Sequence, residues 1–224
     1  MKPHTKKLFA QIKNAVLITA ILIAVPLCIG TKDPFVTYGA AIITVALTGV
    51  LLYTNGFGET KAPLVKGGAS LILSPDNLTI SVEAATADGS AVTVEGCTET
   101  TLASGTETTL HAQGTAVILK GKITELYCRD NQLTALNIQG LSALQGLECD
   151  RNQLTAQALT SLLTGLPVRL PSDDAKCTLY AEDSKKGNHT DFTAPAELYT
   201  ALQDAKTKNW KLCYWDSDGN DVEL

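Results

Sequence analysis

Residues 123–154 write one phrase twice: Ile123-Thr-Glu-Leu126-Tyr-Cys128-Arg-Asp-Asn131-Gln-Leu133 and then, 21 residues on, Leu144-Gln-Gly-Leu147-Glu-Cys149-Asp-Arg-Asn152-Gln-Leu154. Apolar residues, a cysteine and an asparagine recur at one fixed offset. Leu126 and Cys128 are two apart, as are Leu147 and Cys149, which puts each pair on one face of a short strand. Tyr127 and Glu148, between them, face the other way. Chance periodicity in leucine would not fix the cysteine and the asparagine as well.

The spacing is the L-x-x-L-x-L-x-x-N/C-x-L pattern of a leucine-rich repeat. One such strand cannot bury its apolar face alone, so the next coil must stack on it. Ile123, Leu126, Cys128 and Leu133, and then Leu144, Leu147, Cys149 and Leu154, are the expected inward positions. Leu136, Ile138 and Leu141 line the returning half of the first coil. Asn131 and Asn152 stand where the chain turns off each strand, where an amide side chain can satisfy turn backbone groups. Stacked at this offset they form a ladder. The same register lays Arg129-Asp130 over Asp150-Arg151, predicting two pairs of opposite charge.

Charge is uneven along the 224 residues. The first 60 hold five lysines against Asp33 and Glu59, a net of +3, whereas the other 164 hold 13 basic and 21 acidic residues, a net of −8. An acidic body without a basic patch argues against a nucleic-acid partner. Asn14 to Thr31 is uncharged, broken by Pro26, and a second uncharged run goes from Phe35 to Gly58. The second is long enough to span a bilayer, which takes about 20 apolar residues. The first has the length of a signal-peptide core, and Cys28 leaves a lipoprotein reading open. Residues 1–58 are therefore expected to be a transmembrane or signal-anchor segment of one or two helices, with the membrane as partner through residues 15–57. Four lysines ahead of the first run favour a cytoplasmic N-terminus. Two spans would leave the rest of the chain in the cytoplasm on a two-helix hairpin. One span, or cleavage of the first run, would leave it outside.

Residues 59–68, with Pro63 and two glycines, read as a linker. Alternation at Leu71 and Leu73, and at Leu78, Ile80 and Val82, reads as strands. Ala87-Asp88-Gly89 is a turn signal suggesting a hairpin into Val92 and Val94. Residues 69–122 are thus expected as an N-terminal β cap, 123–167 as the repeats and 168–224 as a C-terminal cap of strand, helix and hairpin. Leu159, Leu162, Leu163 and Leu166 have helical spacing, ended by Pro167. Thr193 is a candidate cap for a helix to about Lys208, with Pro195 in its first turn. Trp210 to Trp215 alternates as a strand before the turn Asp216–Asn220. The predicted fold class is α/β leaning β: a short solenoid of parallel strands, capped at both ends and preceded by a membrane-anchoring helical segment.

Cys128-x-x-Asn131-Gln-Leu-Thr-Ala-Leu136 and Cys149-x-x-Asn152-Gln-Leu-Thr-Ala resemble the internalin-like leucine-rich repeats of bacterial surface proteins and lipoproteins. Asp191-Phe192-x-x-Pro195-x-x-Leu198, with Ala205-Lys206 and Asn209-Trp210, is similar to the segment that comes after the repeats in some of them. The resemblance covers roughly residues 105–224. It implies a cell-surface protein for adhesion or protein binding, without catalysis. Such proteins usually carry more repeats than two, and Tyr127 replaces a residue that is often polar.

Chemistry-bearing patterns are sparse. No two of the six cysteines make a C-x-x-C pair, so no zinc or redox site is expected. Cys128 and Cys149 read as small buried hydrophobes, with a disulfide between them as the alternative; Cys177 and Cys213 could bond if exported and adjacent. His189 lies in a loop signal, Gly187–Asp191, with no nucleophile elbow to serve. Gly121-Lys122 lacks the serine or threonine a phosphate loop needs, because Ile123 comes next. Asp216 to Asp221 could offer oxygens to calcium, but its glycine comes too early for the helix–loop–helix calcium loop. No cofactor, metal or catalytic residue is assigned. The expected function is noncovalent binding of a protein ligand at the cell envelope, outside the cytoplasm. The binding residues are the outward Glu125, Tyr127, Arg129, Glu148 and Asp150, with Gly146 leaving room beside Glu125. The alternatives are a cytoplasm-facing interaction protein held by the two-helix hairpin, and an envelope enzyme acting through His189.

Overall fold

A computed structural model describes residues 62–183 and 187–224. They lie in one of the two units into which the chain divides, Thr60–Leu224; the other is Met1–Glu59. The uncharged runs, and with them the expected membrane segment, fall outside the described residues. Among the described residues no helix is long and apolar enough to cross a membrane.

In order, the elements are β1 (Gly68–Leu73), β2 (Thr79–Thr86), β3 (Val92–Glu95), β4 (Thr101–Leu102), β5 (Thr108–His111), β6 (Ala116–Lys120), β7 (Ile123–Tyr127), β8 (Leu133–Asn137), β9 (Gly146–Glu148), α1 (Ala156–Gly165), β10 (Lys176–Ala181), α2 (Ala196–Thr207), β11 (Lys211–Trp215) and β12 (Asp221–Glu223). They build two sheets. One has five strands, ordered β4-β3-β6-β1-β8, all antiparallel. The other has seven, ordered β12-β11-β10-β9-β7-β2-β5, and is mixed. Its middle strands β11, β10, β9 and β7 run parallel; β12 pairs antiparallel with β11 at one end, and at the other β2 pairs antiparallel with β7 and β5 antiparallel with β2.

This corrects the expected fold class. The two written repeats are not a solenoid between separate caps. They are the middle of a mixed sheet, facing a second, antiparallel sheet. The reason lies in the segment after each strand. Leu133–Asn137, after β7, pairs with β1 of the five-stranded sheet, Leu71 opposite Leu136. Ala156–Gly165, after β9, is helical, as is Ala196–Thr207 after β10. The returning segments are therefore unlike one another and cannot stack as equivalent coils. The strands expected as one N-terminal cap are divided between the sheets. Ala87-Asp88-Gly89 makes its turn, with Gly89 at φ 70°, but β2 and β3 enter different sheets, so no hairpin forms.

Local pattern accounts for most elements. β2 buries Ile80, Val82, Ala84 and Thr86 alternately, as a strand with one face on the core must. β1 is buried at every position: β6 and β8 take its two edges, Leu71 and Leu73 face the core, and on the other face Ser70 donates its hydroxyl to Pro63 O in the segment ahead of the strand. In α1 the buried Leu159, Leu162 and Leu163 follow helical spacing, and the Thr155 side chain accepts from Ala158 N. The second helix is capped differently from expectation. Pro195 is its N-cap residue. Thr193 instead donates both its N–H and its hydroxyl to Asp191 Oδ1, at 3.0 and 2.6 Å. Leu71 and Leu119 from one sheet, Leu126 and Leu147 from the other, and Leu159 and Leu198 from the helices share one apolar core.

Three buried asparagines fasten the turns at the ends of the parallel strands. Asn131 Oδ1 accepts from Ser81 N and its Nδ2 donates to Ser81 O, tying the turn after β7 to the antiparallel β2. Asn152 Oδ1 accepts from Asn131 N and Leu133 N, and its Nδ2 donates to Cys128 O, Cys149 O and Asp150 O. Asn188 continues the series, accepting from Leu154 N and donating to Cys149 O and Leu179 O. Asp130 and Arg151, 21 residues apart, both take positive φ, 55° and 53°, so the turn conformation repeats with the sequence.

Candidate functional site

The repeated phrase sets the register of the site. β7 and β9 pair with Glu125 opposite Gly146, Leu126 opposite Leu147 and Tyr127 opposite Glu148. Ile123, Leu126, Cys128, Leu133, Leu144, Leu147, Cys149 and Leu154 are buried, as are Asn131 and Asn152. Their alternating neighbours Glu125, Tyr127 and Glu148 are half-buried on the opposite face of the sheet, and Arg129 lies beyond them there, exposed.

On that face Tyr127 donates its hydroxyl to Glu125 Oε2 at 2.9 Å. Arg129 Nη1 lies 3.4 Å from Glu148 Oε2. The antiparallel strand β2 sits beside β7 with Glu83 opposite Tyr127, and β5 sits beyond it. Ser81 on β2 donates its hydroxyl to Glu107 at 2.7 Å. Ser81, Glu83, Glu107, Tyr127, Arg129 and Glu148 together line a recess of about 80 Å³. Burial pushes the Tyr127 phenol well up, and the Glu125, Glu148 and Glu83 carboxylates add to it. Burial likewise raises the Glu148 carboxyl, against the pull of Arg129.

Asp150 is not part of an outward binding set. It is fully buried, and its Oδ2 accepts from Arg151 Nη1 at 2.7 Å. Arg151 also binds Asp183, two residues past the end of β10, at 2.8 Å. The charge pairs expected across the repeat, Arg129 with Asp150 and Asp130 with Arg151, give way to Arg129–Glu148 and to this Asp150–Arg151–Asp183 group. Burial raises the Asp150 carboxyl despite Arg151. Gly146 does not leave room for a ligand either. A Cβ there would stand 3.2 Å from Glu125 Cγ and 3.8 Å from the Tyr127 hydroxyl, so the space is taken by the protein's own side chains.

Glu83 and Glu107 are members of the site that the sequence pattern does not single out. The alternation of β2 marks Ser81 and Glu83 as outward, but nothing in it says that β2 lies against β7. Elsewhere, Cys128, Cys149, Cys177 and Cys213 are buried free thiols, and neither considered disulfide is formed. His189 Nε2 is within hydrogen-bond distance of Asp191 O and Ala194 O, at 2.7 and 3.2 Å, and the backbone N–H of His189 donates to Leu154 O, so it holds its own loop. His111 contacts Glu99 at 2.7 Å. Among the described residues no group of three metal-ligating side chains is placed to hold an ion. No protein-family model, curated protein or solved structure matches the chain.

Proposed function

We propose that the protein recognises a protein partner noncovalently through the outer face of its seven-stranded sheet, and acts as a binding protein rather than an enzyme. The observation that carries this is the recess at Tyr127 and Arg129, which brings residues of β2, β7 and β9 together on a rigid sheet. Tyrosine and arginine are enriched among the residues that dominate interface energies. Tyr127 is held in place by Glu125, so little side-chain freedom is left to lose on binding. The likeness of the repeated phrase to internalin-like repeats points the same way. The uncharged runs ahead of residue 59 support a location at the cell envelope; a single span, or cleavage of the first run, would put the sheet outside the cytoplasm, which a C-terminal reporter of membrane sidedness would test.

Tyr127→Ala combined with Arg129→Ala is the direct test. The double variant should lose capture of the partner from an envelope fraction while its thermal unfolding is nearly unchanged. Undiminished capture, or binding that maps only to the loop around His189, would sink the reading.

A further inference from the structure

Four strands of the seven-stranded sheet begin at the same end: β7 after Lys122, β9 at Gly146, β10 at Lys176 and β11 at Lys211. β1 begins there too, since Gly68 lies opposite Lys120 and Gly67 O accepts from Gly121 N at 3.0 Å. This end carries the three most exposed large apolar side chains among the described residues, Leu64 (64%), Val168 (69%) and Leu170 (65%). Lys66, Lys122 and Lys208 stand beside them in the same connections. We propose that these six residues seat the end on an anionic phospholipid surface, the apolar three entering the interface and the lysines meeting lipid phosphates. The proposal rests on the envelope location and is separate from recognition at Tyr127.

The connections at this end hold one another. Gly140 packs so closely on the segment before β1 that a Cβ would stand 1.8 Å from Val65 O. Two residues on, Ser142 O accepts from Arg169 Nη2 at 2.7 Å. Arg169 N donates to Lys208 O, and Lys208 Nζ donates to Thr164 O at 2.8 Å. Leu64 is held out by its neighbours. Ala62 O and Pro63 O accept from Asn137 and Ser70 on one side of it, and Val65 O accepts from Gly68 N on the other.

Charge points to the occupant. The described lysines and arginines outside every ion pair are Lys66, Lys122, Lys206 and Lys208. Lys206 donates to Leu224 O, and the other three are the lysines of this end. The acids nearby are occupied: Asp174 by Lys211, Asp173 by Arg169 at 4.0 Å, and Asp88 by Ser90 N at 3.1 Å. Beyond the other ends of the same strands come Asp130, Glu182, Asp183, Asp216 and Asp218. Arg129 and Arg151 there are already paired with Glu148, Asp150 and Asp183. The acidic body is thus polarised along its strands, and a negative surface draws the lysine end. Exposed apolar side chains among unpaired lysines suit a boundary of acyl chains and phosphates, where lysine stems lie on apolar ground and their ammonium groups stay with the headgroups.

The chain's own length brings such a surface within reach. The uncharged run Phe35–Gly58 stops four residues before Ala62. Four residues span at most about 14 Å. Lipid at Gly58 therefore lies within about 14 Å of Ala62, which is tied to the lysine end through Asn137.

The test places the full-length chain in vesicles of phosphatidylcholine with about 30% phosphatidylglycerol, and in vesicles of phosphatidylcholine alone. A polarity-sensitive thiol label goes on Val168→Cys in a Cys28→Ser background, where the described native thiols are buried. The same label on Ser217→Cys, in the turn at the acidic end, is the control. Lipids brominated on their acyl chains should quench the label on Val168→Cys at least about threefold more than the control in the anionic vesicles. The excess should fall at least about twofold in phosphatidylcholine alone, and likewise with Lys66→Glu and Lys122→Glu together. Changing the lipid leaves the chain untouched, so misfolding of the double variant would not decide the matter. Equal quenching at the two positions, or an excess unchanged by both lipid and variant, overturns the proposal. A label on Val168→Cys that brominated lipid does not quench but that is shielded from aqueous iodide would assign this end to a protein surface, a second copy included, and also overturns it. A chain that floats with the vesicles while this label stays unquenched removes the proposal alone. A chain that floats with neither vesicle removes the envelope location with it.

Discussion

Asn152 Oδ1 accepts the backbone N–H of Asn131 at 3.0 Å, across the 21 residues that separate two equivalent turns. The same oxygen takes Leu133 N at 2.9 Å, and the amide nitrogen donates to the carbonyls of Cys128, Cys149 and Asp150. One buried side chain therefore stands in for the ladder that the strands give up where they turn. Asn152→Ala leaves several backbone groups buried without partners, at about 1–3 kcal/mol each. A loss of more than about 3 kcal/mol is expected in denaturant unfolding, above the usual range for a single substitution. A loss below about 1 kcal/mol would mean that water replaces the amide there.

Two glycines separate tolerance from intolerance. A Cβ on Gly140 would stand 1.8 Å from Val65 O and 2.5 Å from Gly68 O, both backbone atoms. Gly140→Ala must displace the approach to β1, and a loss of several kcal/mol is expected. At Gly146 the obstacles are side-chain atoms and not backbone: Glu125 Cγ at 3.2 Å and Cβ at 3.6 Å, and the Tyr127 hydroxyl at 3.8 Å. Gly146→Ala should cost less than about 1 kcal/mol, yet disturb the Tyr127–Glu125 hydrogen bond and with it partner binding. Equal thermal midpoints for the two variants would contradict this.

Glu99 predicts the acid side of the stability curve. Its carboxylate accepts His111 N and contacts His111 Nδ1, both at 2.7 Å. The backbone bond first, and the ring contact second, hold its pKa at about 2 instead of the usual 4.5. The folded form thus binds this proton less readily than the unfolded chain does. Its contribution is fully present above pH 4.5 and is lost as pH falls toward about 2. Glu99→Gln should flatten the fall in stability over that interval, and a fall as steep as the parent's would contradict the assignment.

The buried thiols should be silent in the native protein. Burial raises Cys128, Cys149 is raised by its contact with the Cys177 thiol and by burial, and burial pushes Cys213 to about 11. Residue-resolved mass spectrometry after alkylation at pH 8 should find all four unmodified until the chain is unfolded. Fast native labelling of Cys128 or Cys149 would mean the strand face is assigned the wrong way round.

The repeated phrase is legible in detail where chemistry follows spacing. It locates β7 and β9, the pairing of Leu126 with Leu147 and the buried asparagines. It fails where geometry depends on segments the period does not cover. Asn188 does the same work as Asn152 but lies 36 residues further on, because the connection carrying α1 sets Lys176 30 residues after its partner Gly146, and Asn188 comes ten residues after Thr178 where Asn152 comes four after Glu148. Asp150 reads as outward by alternation, yet it is buried beside an Arg151 that also binds the distant Asp183. Nothing local distinguishes β8, which crosses into the other sheet, from an ordinary returning coil, since its partner β1 lies more than 60 residues earlier. The acidic half of the recess stays hidden for the same reason: β2 reaches β7 only through tertiary pairing.

β1 is the first described strand, and it is an interior one, laced to β6 on one side and β8 on the other. Just ahead of it, Pro63 O accepts the Ser70 hydroxyl and Ala62 O accepts from Asn137 Nδ2. Tension entering from the chain before Ala62 is therefore met by a strand that cannot be peeled from an edge one bond at a time. Both antiparallel ladders must yield together, in shear, before the pull reaches the sheet that carries Tyr127.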